Sequence, residues 1–211
     1  MLKTKKKIKI IIDTLDFIYP NPISSLYYIN EYTLLLAILL TSNSKEEKVN
    51  ELTKHFFQKI QNPQDIIKLT INEIKNSIKN IGLYNKKASH IYNLSNILIN
   101  KYHGVIPNNI LELESLPGIG HKSASVFLFH RSKIPVFPVD THIHRMMFRW
   151  KLSNGKNVQQ TEKDAKRIFS KKKWKKLHLQ IIFYGKKYSP SRKWNPQKDI
   201  IYQKLVNNYL L

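Results

Sequence analysis

The stretch LESLPGIGHKSA, Leu113 to Ala124, sets a Pro-Gly-x-Gly turn between two segments with helical spacing. Upstream, Asn109 to Leu116 reads as a short helix; downstream, a second helix is expected from His121 to about His130. Two short helices joined by so tight a turn make a helix–hairpin–helix. Glycine has no Cβ, so the backbone at Gly118 and Gly120 can come close to another group, and the first amides of the following helix point outward at an anion. Such a device grips a phosphate backbone and positions a protein without reading bases. Pro117, Gly118, Ile119 and Gly120 equally suit an ordinary helix–helix turn, and alone they do not separate the two readings.

Working outward, helical spacing dominates. Val49, Leu52, Phe56, Phe57 and Ile60 share a face, and Asn62-Pro63 then breaks the run, Asn62 as a cap and Pro63 as the first residue of a helix through Leu69. A further run covers Ile71 to Ile78. From Lys86 to Tyr102 a helix carries Ala88, Ile91, Leu94, Ile97 and Leu98 on one face and stops at His103-Gly104. Asp140 or Thr141 can cap a helix towards Trp150, Asn157 to Thr161 leads into another, and Lys172 to Tyr184 forms one more. Only Ile134 to Val139 looks extended, and its two prolines forbid a central strand. The expected fold is all-α. No Gly/Ser linker divides the chain; the connector Arg131 to Pro138 is the expected hinge between two helical lobes.

Composition narrows the partner. Thirty-six Lys and Arg against 14 Asp and Glu give a formal charge of +22. That balance points to a polyanion, either nucleic acid or an anionic membrane surface. An AT-biased coding sequence accounts for the preference for Lys over Arg but not for the scarcity of acids. Cysteine is absent, which excludes disulfides, thiolate zinc sites and any cysteine-ligated iron–sulfur cluster. The N-terminal run MLKTKKKIKIIID is broken by Lys9 and ended by Asp13, so it reads as a first helix, not a signal peptide. The most apolar segment, Thr33 to Leu40, is far below the ~20 residues that span a bilayer. It is an expected core helix, and the chain is expected to be soluble, with no membrane partner.

Lys122, two residues past the second glycine, is either a counter-charge for phosphate or a nucleophile. Attack needs a neutral amine and a group to take the proton. Asp140, in Val139-Asp140-Thr141-His142, is a candidate for that group and equally a plain N-cap. Lys171 to Lys176, with Trp174 inside the run, suits a DNA backbone or a solvated helix face.

Three motifs together carry a resemblance. LPGIGHKSA, then PVDTHIHR, preceded by Ile81-Gly82-Leu83-Tyr84-Asn85-Lys86-Lys87-Ala88, resemble the endonuclease III family of DNA repair glycosylases, in the same order and at matching spacing from the N-terminal helix to Gly185. The resemblance implies two helical lobes, residues 21–133 with the helix–hairpin–helix at about 109–130, and residues 1–20 plus 134–211, with an active-site cleft between them. It implies a bifunctional enzyme of base-excision repair that removes oxidised pyrimidines and cleaves 3′ to the abasic site by β-elimination. Lys122 matches the lysine that attacks the sugar C1′, and Asp140 the aspartate that assists the attack and stabilises the positive charge developing on the sugar. Leu83 matches the side chain wedged into the duplex once the target base has left the stack. Asn43 stands where the family usually has a glutamine filling the vacated space. Ser123 and His142 match positions lining the base pocket, and a capping or core role suits each as well.

The family usually carries four cysteines, Cys-x6-Cys-x2-Cys-x5-Cys, that hold a [4Fe-4S] cluster. Here those positions are Ser189, Pro196, Asp199 and Leu205. The expectation is therefore an enzyme with no metal or cofactor, with Trp194, Tyr202 and Leu205 filling the space by apolar packing. The expected partner is double-stranded DNA with damaged bases or abasic sites, bound by a monomer in the bacterial cytoplasm. The alternative is a catalytically inactive helix–hairpin–helix DNA-binding protein that keeps the hairpin and the charge.

Overall fold

The computed structural model describes residues 2–131 and 136–211; residues 132–135, at the centre of the expected hinge, lie outside the described residues. The chain divides into two compact units, Ser25–Lys133, and Met1–Ser24 with Ile134–Leu211. The described residues form twelve α-helices and two short 3-10 turns, with no strand among them. None of the helices is long and apolar enough to cross a membrane.

The unit Ser25–Lys133 is built around α2, Glu31–Thr41, whose residues Tyr32 to Leu40 are all buried. A helix apolar on every side has to be surrounded, and α3 (Glu46–Lys59), α6 (Tyr84–Tyr102) and α8 (His121–Arg131) pack against it. Asn30 closes a capping box with Thr33 at its start. The short helices α4 (Pro63–Ile67) and α5 (Ile71–Ile78) lie along α6. Both begin with capping boxes, from Asn62 with Asp65 and from Thr70 with Glu73, so polar side chains replace the hydrogen bonds that these brief helices lack. Helix α6 buries Ala88, Ile91, Leu94 and Leu98 and ends in two left-handed residues, His103 and Gly104, with Gly104 N donating to Leu98 O at 2.8 Å.

In the other unit, α1 (Leu2–Ile18), α9 (Thr141–Arg149), α10 (Val158–Ile168), α11 (Trp174–Lys187) and α12 (Ile200–Asn207) share one core. Ile11, Leu15, Phe137, Ile143, Met146, Trp150, Ile181, Tyr184 and Leu205 are fully enclosed in it. Helix α11 packs on α9 and on α1. Lys7 of α1 is buried, and its Nζ donates to Trp150 O at 3.1 Å at the end of α9. Burial, and then the Lys151 charge, hold this amine below its ordinary pKa, so the bond to the helix end is what keeps the cation there.

Candidate functional site

The turn between α7 (Ile110–Glu114) and α8 is held from inside. Leu116 and Ile119 are buried, and Ile119 N donates to Leu116 O at 3.1 Å. His121 Nδ1 lies 2.5 Å from Glu114 Oε1, tying the two arms together. The two glycines differ in what demands them. Gly118 has φ +79°, and a Cβ there would stand 2.7 Å from His90 Nδ1 on α6, so conformation and packing both require glycine. Gly120 is not in the left-handed region, and a Cβ built on it meets nothing within 4 Å. The protein's own packing does not need glycine there; the bare backbone faces open space beside the first amides of α8, which, as at any helix start, lack partners within the helix. Lys122 is exposed on that first turn and Ser123 is half-buried.

Two other candidates in the same unit come together although they are far apart in sequence. Asn43 follows the end of α2 with φ 52°, and Leu83 precedes α6 with φ 59°. Both are non-glycine residues in the left-handed region, a conformation that costs each roughly 1–2 kcal/mol. The residue before Leu83 brings the two segments close: a Cβ on Gly82 would lie 2.9 Å from Asn43 O. Asn43 is exposed, and Leu83 keeps 54% of its surface in solvent, unlike the core leucines around it.

In the second unit Asp140 is the N-cap of α9, its Oδ1 accepting from Ile143 N at 2.8 Å. The residue is half-buried, and Oδ2 accepts no hydrogen bond among the described residues. His142, in the first turn of α9, has its Nδ1 3.1 Å from the Arg145 guanidinium. Burial lowers the Arg145 pKa, and the Asp140 charge opposes that shift. Lys122 and Asp140 thus belong to different units.

The positions that would hold an iron–sulfur cluster do not fit one. Ser189, Asp199 and Leu205 are each 0% exposed, and the chain has no cysteine to supply a thiolate. A hydrogen-bonded network occupies the place. Asp199 accepts from Tyr184 OH at 2.5 Å and Tyr202 N at 3.0 Å through Oδ1, and from Trp194 Nε1 at 3.0 Å through Oδ2. Tyr184 OH in turn accepts from Ile201 N at 2.7 Å. Burial first, and then the bond to Asp199, raise the Tyr184 pKa above its ordinary value. Trp194 meets Tyr202 edge-on and carries the Arg149 guanidinium 4.0 Å from its ring centroid. Arg149 donates to Ser189 O, Ser189 Oγ and Pro190 O, and Arg145 to Ser189 O and Gly185 O. Trp194 and Tyr202 pack together and Leu205 lies in the core, but the filling also holds a buried carboxylate with its donors, where apolar packing alone was expected. Sequence reasoning singled out neither Arg145, Arg149 nor Tyr184, because their partners lie at long range in the chain. It treated Asp199 only as a missing ligand, although an acid just before an apolar run is itself a helix-capping signal.

Three comparisons bear on this arrangement. Residues 36–171 match the family described as HhH-GPD superfamily base excision DNA repair protein. The chain is 36% identical over 189 residues to the endonuclease III of Buchnera aphidicola subsp. Acyrthosiphon pisum (strain APS), covering 90% of each chain. Among solved structures it resembles a non-covalent endonuclease III–DNA complex, with a TM-score of 0.89 and 30% identity over 96% of this chain and 98% of that one. It also resembles a trapped endonuclease III–DNA covalent intermediate, with a TM-score of 0.87 and 31% identity over 92% of this chain and 91% of that one.

Proposed function

The chain belongs to the endonuclease III family, within the HhH-GPD superfamily of base excision DNA repair proteins, and is a DNA glycosylase/AP lyase; on that premise we propose that it removes oxidised pyrimidines from duplex DNA through Lys122 and Asp140. The observation that carries the residue assignment is the hairpin itself. Its one glycine with no internal reason to be glycine, Gly120, leaves bare backbone two residues before an exposed lysine. A phosphate seated on the amides at the start of α8 would hold the strand while Lys122, on the same turn, meets the sugar of an extruded nucleoside.

The chemistry follows from the residue types. The neutral Lys122 amine attacks C1′, the bond from C1′ to the base breaks, and the base leaves with its electron pair and a proton. The Asp140 carboxylate, with Oδ1 committed to the α9 cap, has Oδ2 to offer the positive charge that develops on the sugar. One lysine proton goes to the departing base; the C1′–O4′ bond then opens and O4′ takes the other, which leaves an imine between Nζ and C1′ of the opened sugar. Removal of a C2′ proton then expels the 3′ phosphate, and water releases the sugar fragment and returns the amine. Each step uses groups of the chain, the substrate and water. Asn43 and Leu83 enter the duplex beside the extruded nucleoside, and Ser123 and His142 border the base. The substrate is duplex DNA with oxidised pyrimidines or abasic sites, taken by a monomer in the bacterial cytoplasm.

Borohydride reduces an imine to a stable amine, so the test is covalent trapping on oligonucleotides containing thymine glycol or an abasic site. Wild type is expected to form the adduct and Lys122→Ala to form none. No adduct from wild type, or an equal amount from Lys122→Ala, refutes the assignment.

A further inference from the structure

Lys87 is the least expected lysine in the chain. It lies on the first turn of α6, is 4% exposed and has no carboxylate partner among the described ion pairs. Its Nζ donates to Leu40 O at 2.8 Å and to Ser44 Oγ at 2.9 Å. Leu40 O is one of the last carbonyls of α2, which no turn of the helix can satisfy, and the negative end of the helix dipole favours a cation there. Burial holds this amine below its ordinary pKa. A lysine is almost never fully buried unless it is held by partners, and here both partners belong to the segment that bears Asn43.

Two contacts therefore join the loop after α2 to the start of α6. The Lys87 ammonium bridges them, and the bare Gly82 backbone runs so near Asn43 O that a Cβ there would stand 2.9 Å from it, while Lys87 N donates to Leu83 O at 3.0 Å to begin α6. Between these contacts sit the two left-handed residues whose side chains point away from the core. A strained conformation of this kind persists only where its surroundings hold it. Building on the reading that Asn43 and Leu83 enter the duplex, we propose that Lys87 is a positioning residue. Its buried ammonium locks the two loops into one rigid pair, so that wedge and gap-filler arrive together at a fixed spacing. Such preorganisation acts on the step in which the base leaves the stack, not on the bond-breaking chemistry.

Lys87→Met keeps the stem and removes the ammonium, and Gly82→Ala leaves Lys87 alone but drives a methyl into the Asn43 carbonyl. Two rates are compared under single turnover: excision of thymine glycol from a duplex, and cleavage at an abasic site in a single strand, which needs neither wedge nor gap-filler. A 2-aminopurine beside the lesion reports unstacking. Both variants are expected to lower the ratio of duplex excision to single-strand cleavage on the order of tenfold to a hundredfold, with a smaller 2-aminopurine signal. An unchanged ratio in variants that melt as wild type does overturns the proposal. Should Lys87→Met fail to fold, Gly82→Ala and Ser44→Ala decide by the same ratio. The underlying reading is separable, since it fails if wild type neither forms the borohydride adduct nor unstacks 2-aminopurine. If wild type does both and the variants keep pace, only the role of Lys87 falls.

Discussion

Gly120→Ala separates the clamp from the fold more sharply than any other single substitution. Backbone conformation at Gly120 is open to an L-residue, and the added methyl meets nothing within 4 Å. Replacing glycine by alanine at a compatible site stiffens the unfolded chain and stabilises by about 0.4–1 kcal/mol. Gly120 also stands at the N-cap of α8, where alanine is the poorer residue, so the two effects offset and stability to urea is expected to stay within about 1 kcal/mol of wild type. Duplex affinity is expected to fall. A hydrogen bond to a charged group contributes roughly 1.5–3 kcal/mol, and a methyl in front of the α8 amides holds a phosphate oxygen off them. At 1.4 kcal/mol per decade this weakens binding on the order of tenfold to a hundredfold. The assay is fluorescence anisotropy of a labelled duplex with an uncleavable abasic analogue at fixed salt, beside urea unfolding of the same preparation. Gly118→Ala is the contrast: with φ +79° and His90 Nδ1 2.7 Å from the new Cβ, it should lose at least about 1 kcal/mol of stability. If Gly120→Ala binds as tightly as wild type, or loses affinity only in step with stability, phosphate does not sit where the hairpin has been read to hold it.

Three further outcomes are expected. Asp140→Asn keeps an acceptor for Ile143 N and should unfold within about 0.5 kcal/mol of wild type while base excision collapses; Asp140→Ala should also lose about 1 kcal/mol as a broken cap. Asp199→Ala removes the cap of α12 and strips Trp194 Nε1 and Tyr184 OH of their acceptor, so it should destabilise by about 2–5 kcal/mol. Urea unfolding followed by tryptophan fluorescence reads this directly, because Trp150, Trp174 and Trp194 all lie in that unit, and a loss below about 1 kcal/mol would dismiss the network as a structural element. The third outcome concerns alkaline pH. A phenol raised in the folded state keeps its proton while the unfolded chain gives its own up, so the contribution of Tyr184 is complete below its ordinary value of 10.0 and is lost as pH rises beyond it. Lys7 is lowered and acts in the opposite sense in the same unit. The readout is therefore the difference from Tyr184→Phe, which should be less stable at neutral pH and show a shallower decline above pH 10.

What was legible in the sequence is what is decided locally. Asn62-Pro63, Asn157 and Asp140 cap helices because a side-chain oxygen three residues before an amide needs no tertiary partner. The all-α class, the buried α2 and the turn at Gly118 were legible for the same reason. Lys87 was not, because a lysine on an amphipathic pattern reads as solvated and its acceptors stand 47 and 43 positions away. The Arg145 and Arg149 bonds to residues 185–190 were hidden likewise, since all but the Arg149 bond to Ser189 Oγ end on backbone carbonyls that carry no signature of residue type. At Gly120 the sequence shows a glycine, and only the open space around it separates a position the protein does not need from one such as Gly118 that it does.

Those arginine contacts leave the two sides of the contact under unequal evolutionary constraint. Carbonyls stay in place whatever side chain their residue bears, so most of the Lys186–Lys193 stretch can change its residues and still be pinned to α9. Arg145 and Arg149 cannot, because only a rigid fork of donors reaches several oxygens at once. Drift across related chains should therefore gather on the loop and spare the two arginines, letting the outward face vary while the helix that begins at Asp140 keeps its seat.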